Sequence, residues 1–240
     1  MLRVPVSPLR EGLLQLDKAT SHYLVDVHRA RPGTEFIAFD AEAASQALAT
    51  IVVASQRGAT CRVDSVHATQ ATPEHPLVVV QAFGKGSRVD QVIRDATALD
   101  ATEIWVVATQ HSAVANAVEM RGRIERWRKI ALESARQCGR GNVPRIEGVV
   151  PLDAVFLELN AIQGARCALT PSASVALWDA IEPGNAGSVA LLIGPEGGLA
   201  DRERELSIEH GFQEVRLGPR VLRTEVATVV ALSIVMAARD

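Results

Sequence analysis

Two stretches of this chain bring glycine, proline and charge together where an apolar run ends. One is LLIGPEGGLADRERE, Leu191–Glu205; the other is LGPRVLRTE, Leu217–Glu225. Each opens a helix-type segment. Glycine lets backbone N–H and C=O groups approach a ligand with no Cβ in the way. Parallel α/β folds bind ligands at the carboxyl ends of their strands. Consecutive strands of such a sheet tend to be neighbours. The two loops are therefore expected to face each other across a cleft that suits a flat, part-apolar group such as adenine. A third strand end, ALTPSAS (168–174), closes that cleft. Spacing alone fits plain tight turns equally well. The Rossmann GxGxxG and the P-loop GxxxxGK[ST] are both missing, which argues against an ordinary dinucleotide or P-loop site.

The elements that must carry these loops can be read from periodicity. LVVVQAF (77–83), EIWVVA (103–108), ARCAL (165–169), VALLI (189–193) and EVRL (214–217) are short apolar runs. Helix-type segments fall near 88–99, 121–138, 152–162, 173–181, 201–210 and 224–237. That alternation predicts an α/β domain with a parallel sheet covered on both faces. Before it, residues 1–68 read as small and mostly β, with FIAFD (36–40), LATIVV (48–53) and TCRVDSV (60–66) as strands. A short helix is expected near Ser21–Val27, capped by Asp17 or Thr20. HATQATPEHP (67–76) is polar with two prolines and marks the domain boundary, giving domains 1–70 and 71–240. The helix at 121–138 sets Ile124, Trp127, Ala131, Ala135 and Cys138 on one face, with Arg128, Lys129 and Arg136 largely off it. The last helix is apolar nearly all round, which demands burial in the core or against a second subunit; the latter, a homodimer, is the expectation.

Composition narrows the class. No apolar stretch nears the roughly 20 residues of a membrane span, and MLRVPVSPLR lacks the apolar run of a signal peptide. Cys61, Cys138 and Cys167 are odd in number and far apart, so neither a disulfide framework nor a metal site is expected. A reducing cytoplasm fits best. Net charge is −3, yet residues 85–145 hold eleven Lys/Arg against seven Asp/Glu, while 146–240 hold seven against thirteen. Of the 25 basic residues only three are Lys. Arginine's planar fork grips phosphate in a bidentate way, although codon bias gives the same count.

Taken together, LLIGPEGGLADRE and GFQEVRLGPRVLRTE resemble the signature of the ribosomal small-subunit methyltransferase E family. KGSRVDQVIRDAT (85–97), RWRKIALESARQCGRGNVPRI (126–146) and HYLVDVHRARPG (22–33) extend the resemblance over most of the chain. It implies S-adenosylmethionine-dependent methylation of N3 of a uridine near the 3′ end of 16S rRNA, on the small ribosomal subunit. It also implies a C-terminal SPOUT domain with a trefoil knot, an N-terminal PUA-like β-barrel, and a dimer. Three departures stand out. Ala98-Leu99-Asp100 replaces the family's Glu-Leu-Gly, His111-Ser112 replaces an Arg-Ser pair, and Ala200 replaces a capping Ser or Thr, leaving Asp201 as the expected cap.

Under that resemblance the donor would be held by Leu169, Thr170, Pro171, Ile193, Gly194, Pro195, Glu196, Gly197, Gly198, Leu217, Gly218, Val221, Leu222 and Thr224. The proton on uracil N3 must leave, so a group must take it or stabilise the uracil anion; a carboxylate could be that base, with Glu225 favoured over Glu196, and Arg220 and Arg223 would meet the base or its phosphate. RNA would be held by Arg3, Arg10, His22, Arg29, Arg31, Lys85, Arg88, Arg136 and Arg140. The rival readings are an RNA-binding assembly factor without catalysis, and a methyltransferase of the same fold acting on another base or on a ribose 2′-OH.

Overall fold

A computed structural model describes residues 1–55, 58–69, 75–84, 87–112, 117–160, 163–181 and 187–239, with side chains omitted for 117–121. The chain divides into two compact units, Met1–Thr72 with Leu132–Val143, and Pro73–Ala131 with Pro144–Asp240.

The first unit holds β1 (Arg3–Pro5), β2 (Gly12–Gln15), α1 (Lys18–His22), β3 (Glu35–Asp40), β4 (Ser45–Val53), β5 (Thr60–Val63) and β6 (His67–Ala68). Its sheet runs β1-β3-β4-β5-β2, with β6 on β4; β1–β3 is parallel and the other pairs are antiparallel. Alternating residues send Val4, Phe36, Ala38, Ala49, Ile51, Cys61 and Val63 into one core. Asp17 caps α1, accepting from Thr20 N at 2.7 Å. The helix continues as a π-helical turn over Tyr23–Val27. Ser21 is fully buried, where its hydroxyl accepts from Ala59 N at 2.8 Å and donates to Leu16 O at 3.3 Å. The turn after Cys138 belongs to this unit. Arg140 O accepts from Arg3, and Gly141 lies so close to Thr69 that an added Cβ would sit 2.0 Å from its Cγ2.

The second unit holds β7 (Leu77–Ala82), α2 (Arg88–Ala98), β8 (Glu103–Ala108), α3 (Ala117–Cys138, through Ala131), β9 (Arg145–Pro151), α4 (Leu152–Leu159), β10 (Gly164–Leu169), α5 (Leu177–Ala180), β11 (Ser188–Ile193), α6 (Asp201–Glu209), β12 (Gln213–Val215) and α7 (Thr224–Arg239). The sheet order is β12-β10-β11-β7-β8-β9, and every pair is parallel. The strand alternation explains the apolar runs. Leu77, Val79, Leu191 and Ile193 meet Ile93, Trp127, Leu177, Leu232 and Val235 on one face. Val78, Val80, Ala190 and Leu192 meet Leu152, Val155, Phe156 and Phe212 on the other. The central strands are thus buried on both sides, as a parallel sheet requires.

Three expectations change. β12 pairs with β10 rather than β11, so consecutive strands β11 and β12 are not neighbours. The 173–181 helix shrinks to Leu177–Ala180. β9, RIEGVVP, was not anticipated. It mixes charge, glycine and proline because it is an edge strand bonded only to β8. The linker residues 70–74 lie outside the described residues.

Asp100 explains one departure from the family pattern. It follows α2 with φ 60°, while Ala101 N bonds Ala96 O at 3.0 Å across it, a Schellman-type ending. Glycine suits this left-handed position best, and Asp tolerates it better than most residues. Asp100 also offsets the burial that lowers the pKa of Arg239, whose guanidinium donates to Pro76 O and Gly187 O.

Candidate functional site

The loops after β10, β11 and β12 converge at the carboxyl edge of the sheet, with β10 in the middle. They frame an open cavity of about 460 Å³. A volume of this order belongs to small-molecule sites. Its walls carry Leu169, Thr170 and Pro171 from the first loop, Ile193, Gly194, Pro195, Glu196 and Gly198 from the second, and Leu217, Gly218, Val221, Leu222 and Thr224 from the third. Gly197 is the one expected donor residue off the wall. Its open side faces His111, where a Cβ would lie 3.3 Å from His111 Cβ.

The GPEGG turn is closed by Gly198 N to Pro195 O at 2.9 Å, and Gly198 has φ 75°. That backbone is why glycine stands there. Asp201 does not cap the following helix. Ala200 holds the cap position with extended backbone, and Asp201 is the first helical residue. Alanine has no acceptor, so Glu203 reaches back instead and accepts from Ala200 N at 2.9 Å.

Two of the charged side chains at the cavity are ion-paired. Arg204, on the wall, donates through Nε and a terminal nitrogen to the two oxygens of Glu214, at 2.8 and 3.0 Å. Glu214 also accepts from the Thr170 hydroxyl at 3.1 Å. The bond from Arg204 holds the Glu214 carboxyl below its ordinary range, and the same bond raises Arg204. Among the described residues Glu196 is the one carboxylate on the wall, and it is ion-paired with Arg88 at the start of α2. Arg220 and Arg223 line the cavity with exposed side chains. Glu225 does not line it; its carboxylate sits beside the Thr224 hydroxyl at 3.4 Å in the first turn of α7. Leu199, Arg204, Val215 and Ala227 complete the wall and were not anticipated. Leu199 directly follows the quoted GPEGG loop and Val215 lies in EVRL, so adjacency was the available signal for those two.

The expected RNA contacts are spread over both units. Arg10, His22, Arg29 and Arg31 are exposed in the first. His22 Nδ1 lies 2.5 Å from Asp26. Arg3 turns inward, donating to Gln46 Oε1 at 3.0 Å and to Arg140 O at 3.4 Å, and lies over the Phe39 ring. Burial lowers its pKa. Arg136 covers the Tyr23 ring at 4.4 Å and pairs with Glu133, and Arg140 donates to Asn142 at 3.2 Å. Arg88 belongs to the second unit, and Lys85 lies outside the described residues. Among the described residues no group of three or more His, Cys, Asp or Glu could hold a metal ion, and no helix is long and apolar enough to cross a membrane.

Known proteins match this chain in sequence and in fold. Residues 71–236 match the family described as an RNA methyltransferase domain, and the chain belongs to it. A relative from Mycobacterium bovis, ribosomal RNA small subunit methyltransferase E, is 32% identical over 92% of this chain and 84% of its own. The protein of that name from Bacillus subtilis is 29% identical over 88% and 85%. The chain is a member of the ribosomal RNA small subunit methyltransferase E family. Among solved structures, a Legionella pneumophila protein in complex with the bound cofactor SAM superposes with TM-score 0.88 at 30% identity, over 99% of this chain and 97% of that one. The Neisseria gonorrhoeae ribosomal RNA small subunit methyltransferase E, bound to S-adenosyl methionine, shares the fold with TM-score 0.85 at 24% identity, over 97% and 95%.

Proposed function

We propose that this protein transfers a methyl group from S-adenosylmethionine to N3 of a uridine near the 3′ end of 16S rRNA. The observation that carries the reading is the convergence of both Gly-Pro loops on one cavity, in a chain of this family. The cavity fits the donor chemically. Leu169, Ile193, Leu199, Val215, Leu217 and Leu222 offer apolar walls to a flat adenine, and Gly194 and Gly218 bring bare backbone to its polar edge. Bound there, the donor supplies an electrophilic methyl group on a sulfonium.

The chain's own residues do the rest. N3 of neutral uracil carries a proton, so a base must take it before the nitrogen lone pair can form a bond. Glu225 serves as that base, because Glu196 on the cavity wall is already committed to Arg88. Arg223 and Arg220 face the negative charge that grows on the uracil oxygens. Fixing the two reactants in line contributes several kcal/mol by itself.

The parallel-sheet unit, Pro73–Ala131 with Pro144–Asp240, is the SPOUT domain with its C-terminal trefoil knot, and the first unit is a PUA-like barrel that holds RNA through Arg10, Arg29 and Arg31. The exposed Val221 and Val226, together with α7, meet a second copy of the chain to make a homodimer. Nine aromatic residues in the whole chain leave few to stack bases, so the substrate is recognised by the shape of the assembled small subunit. Labelled S-adenosylmethionine and small subunits from cells lacking the activity test this. Label on one uridine N3 supports it, and equal activity on protein-free transcript overturns the assembled-subunit part. Donor binding without label on any small-subunit RNA rejects the substrate.

A further inference from the structure

The GPEGG turn must hold its shape to receive a donor against its backbone. One bond within it, Gly198 N to Pro195 O, closes the turn but does not fix its direction. Two side chains tie it to a neighbouring turn. Glu203 uses both carboxylate oxygens. One accepts from Ala200 N at 2.9 Å, at the exit of the GPEGG turn; the other accepts from Gln110 N at 2.7 Å, in the loop after β8. From the opposite side, His111 Nδ1 lies 3.0 Å from Gly198 O. A carbonyl only accepts, so Nδ1 carries the hydrogen. His111 also touches Gly197, whose missing Cβ leaves room for it.

The loop that supplies Gln110 and His111 is itself closed by hydrogen bonds. Ser112 N donates to Thr109 O at 3.0 Å, Thr109 N donates to Ser112 Oγ at 3.2 Å, and the two hydroxyls lie 2.6 Å apart. Thr109 is buried. A turn closed three times over at a buried anchor is a suitable template for the glycine turn.

We propose that Glu203 and His111 are positioning residues that hold the GPEGG turn in its donor-receiving shape, with the Thr109–Ser112 turn as the brace. The proposal rests on the methyltransferase reading of the cavity. Neither residue lines the cavity. Both act through the backbone that does. Their effect is to pre-form the site, so that ordering the turn does not have to be met from the donor's binding energy. Glu203 serves this role as a charged acceptor for two N–H groups, a stronger bond than a neutral side chain makes. Glutamine keeps one good acceptor and turns its NH2 towards the other N–H, so it restores part of the brace.

The test is the binding of S-adenosylmethionine by calorimetry, together with steady-state kinetics on small subunits, for wild type, Glu203→Gln, Glu203→Ala and His111→Ala. Loss of charge-assisted bonds of this kind is expected to raise the donor Kd about tenfold in Glu203→Ala, with a smaller rise in Glu203→Gln. His111→Ala should raise donor Kd as well, and the KM for the RNA substrate should stay unchanged throughout. The double variant should lose less than the product of the two single effects, because both act on one turn. His111 is exposed, so its variant keeps the test open if Glu203→Ala does not fold. A fall in melting temperature with unchanged donor Kd in every variant would make Glu203 a helix cap only and overturn the proposal. Wild type that binds no donor would overturn the reading of the cavity instead.

Discussion

Arg204 and Glu214 are joined by two hydrogen bonds, 2.8 and 3.0 Å, between the first turn of α6 and β12 at the cavity wall. The pair links two of the three loop systems that frame the site, and Thr170 brings in the third. The pair is partly exposed, so a double-mutant cycle of Arg204→Ala and Glu214→Gln should give a coupling of about 1 kcal/mol or less. Its pH dependence has a definite sign. The Glu214 carboxyl is held below its ordinary 4.5, so the native state favours the ionised form. The stabilisation is complete above that value and is lost as pH falls through the lowered folded value. Urea titrations of wild type and Glu214→Gln should therefore differ at pH 7 and converge in acid.

Asp100 sits at a left-handed position that Gly fills best. Asp100→Ala should destabilise by about 1 kcal/mol, because alanine has no polar side chain to ease that backbone. Asp100→Gly relieves the strain but removes the charge that supports Arg239, so its net effect should be near zero. Thermal melts of the two variants separate these contributions.

Gly141 is fixed by contact rather than by dihedral angle. An added Cβ would fall 2.0 Å from Thr69 Cγ2 and 2.3 Å from its Cβ. Gly141→Ala should cost about 1–3 kcal/mol by overpacking. The double variant Gly141→Ala with Thr69→Gly should recover much of that loss, and chemical denaturation would measure both.

Much of this was readable in the sequence, and the gaps have physical causes. The three strand-end loops were visible because apolar runs and Gly-Pro turns are local signals, and 13 of the 14 anticipated donor residues lie on the cavity wall. The exception, Gly197, faces His111, a contact between distant parts of the chain that no local pattern encodes. Arg204 was missed for the same reason: its partner Glu214 lies beyond the end of its helix. β9 escaped because an edge strand need not be apolar throughout. Strand order also failed the neighbour rule, since β12 joins the sheet beside β10. Arg3 looked like a surface cation, yet its guanidinium is turned onto Gln46, Phe39 and Arg140.

The three thiols should behave differently. Burial pushes Cys61 and Cys167 up to about 11, while Cys138 is exposed. Thiolate is the reactive form, so a thiol reagent near pH 8 should modify one cysteine per native chain quickly and all three after denaturation. Rapid labelling of two or three in the native state would contradict the burial of Cys61 and Cys167.

The proposed reaction gives Glu225 and Arg223 chemical roles rather than donor binding. Glu225→Gln and Arg223→Ala should each lower kcat by about 10²-fold or more, the range of a lost base or charge-stabilising group. Donor affinity should change little for Glu225→Gln, which lies off the cavity wall. A large rise in donor Kd with unchanged kcat would reassign Glu225.

The most direct measurement is the mapped methyl transfer itself. Purified protein, labelled S-adenosylmethionine and small subunits lacking the modification are incubated, and the RNA is digested and analysed by mass spectrometry. The expected result is N3-methyluridine at a single position near the 3′ end of 16S rRNA. Label on a ribose 2′-oxygen, on another base, or on no RNA despite donor binding would contradict it.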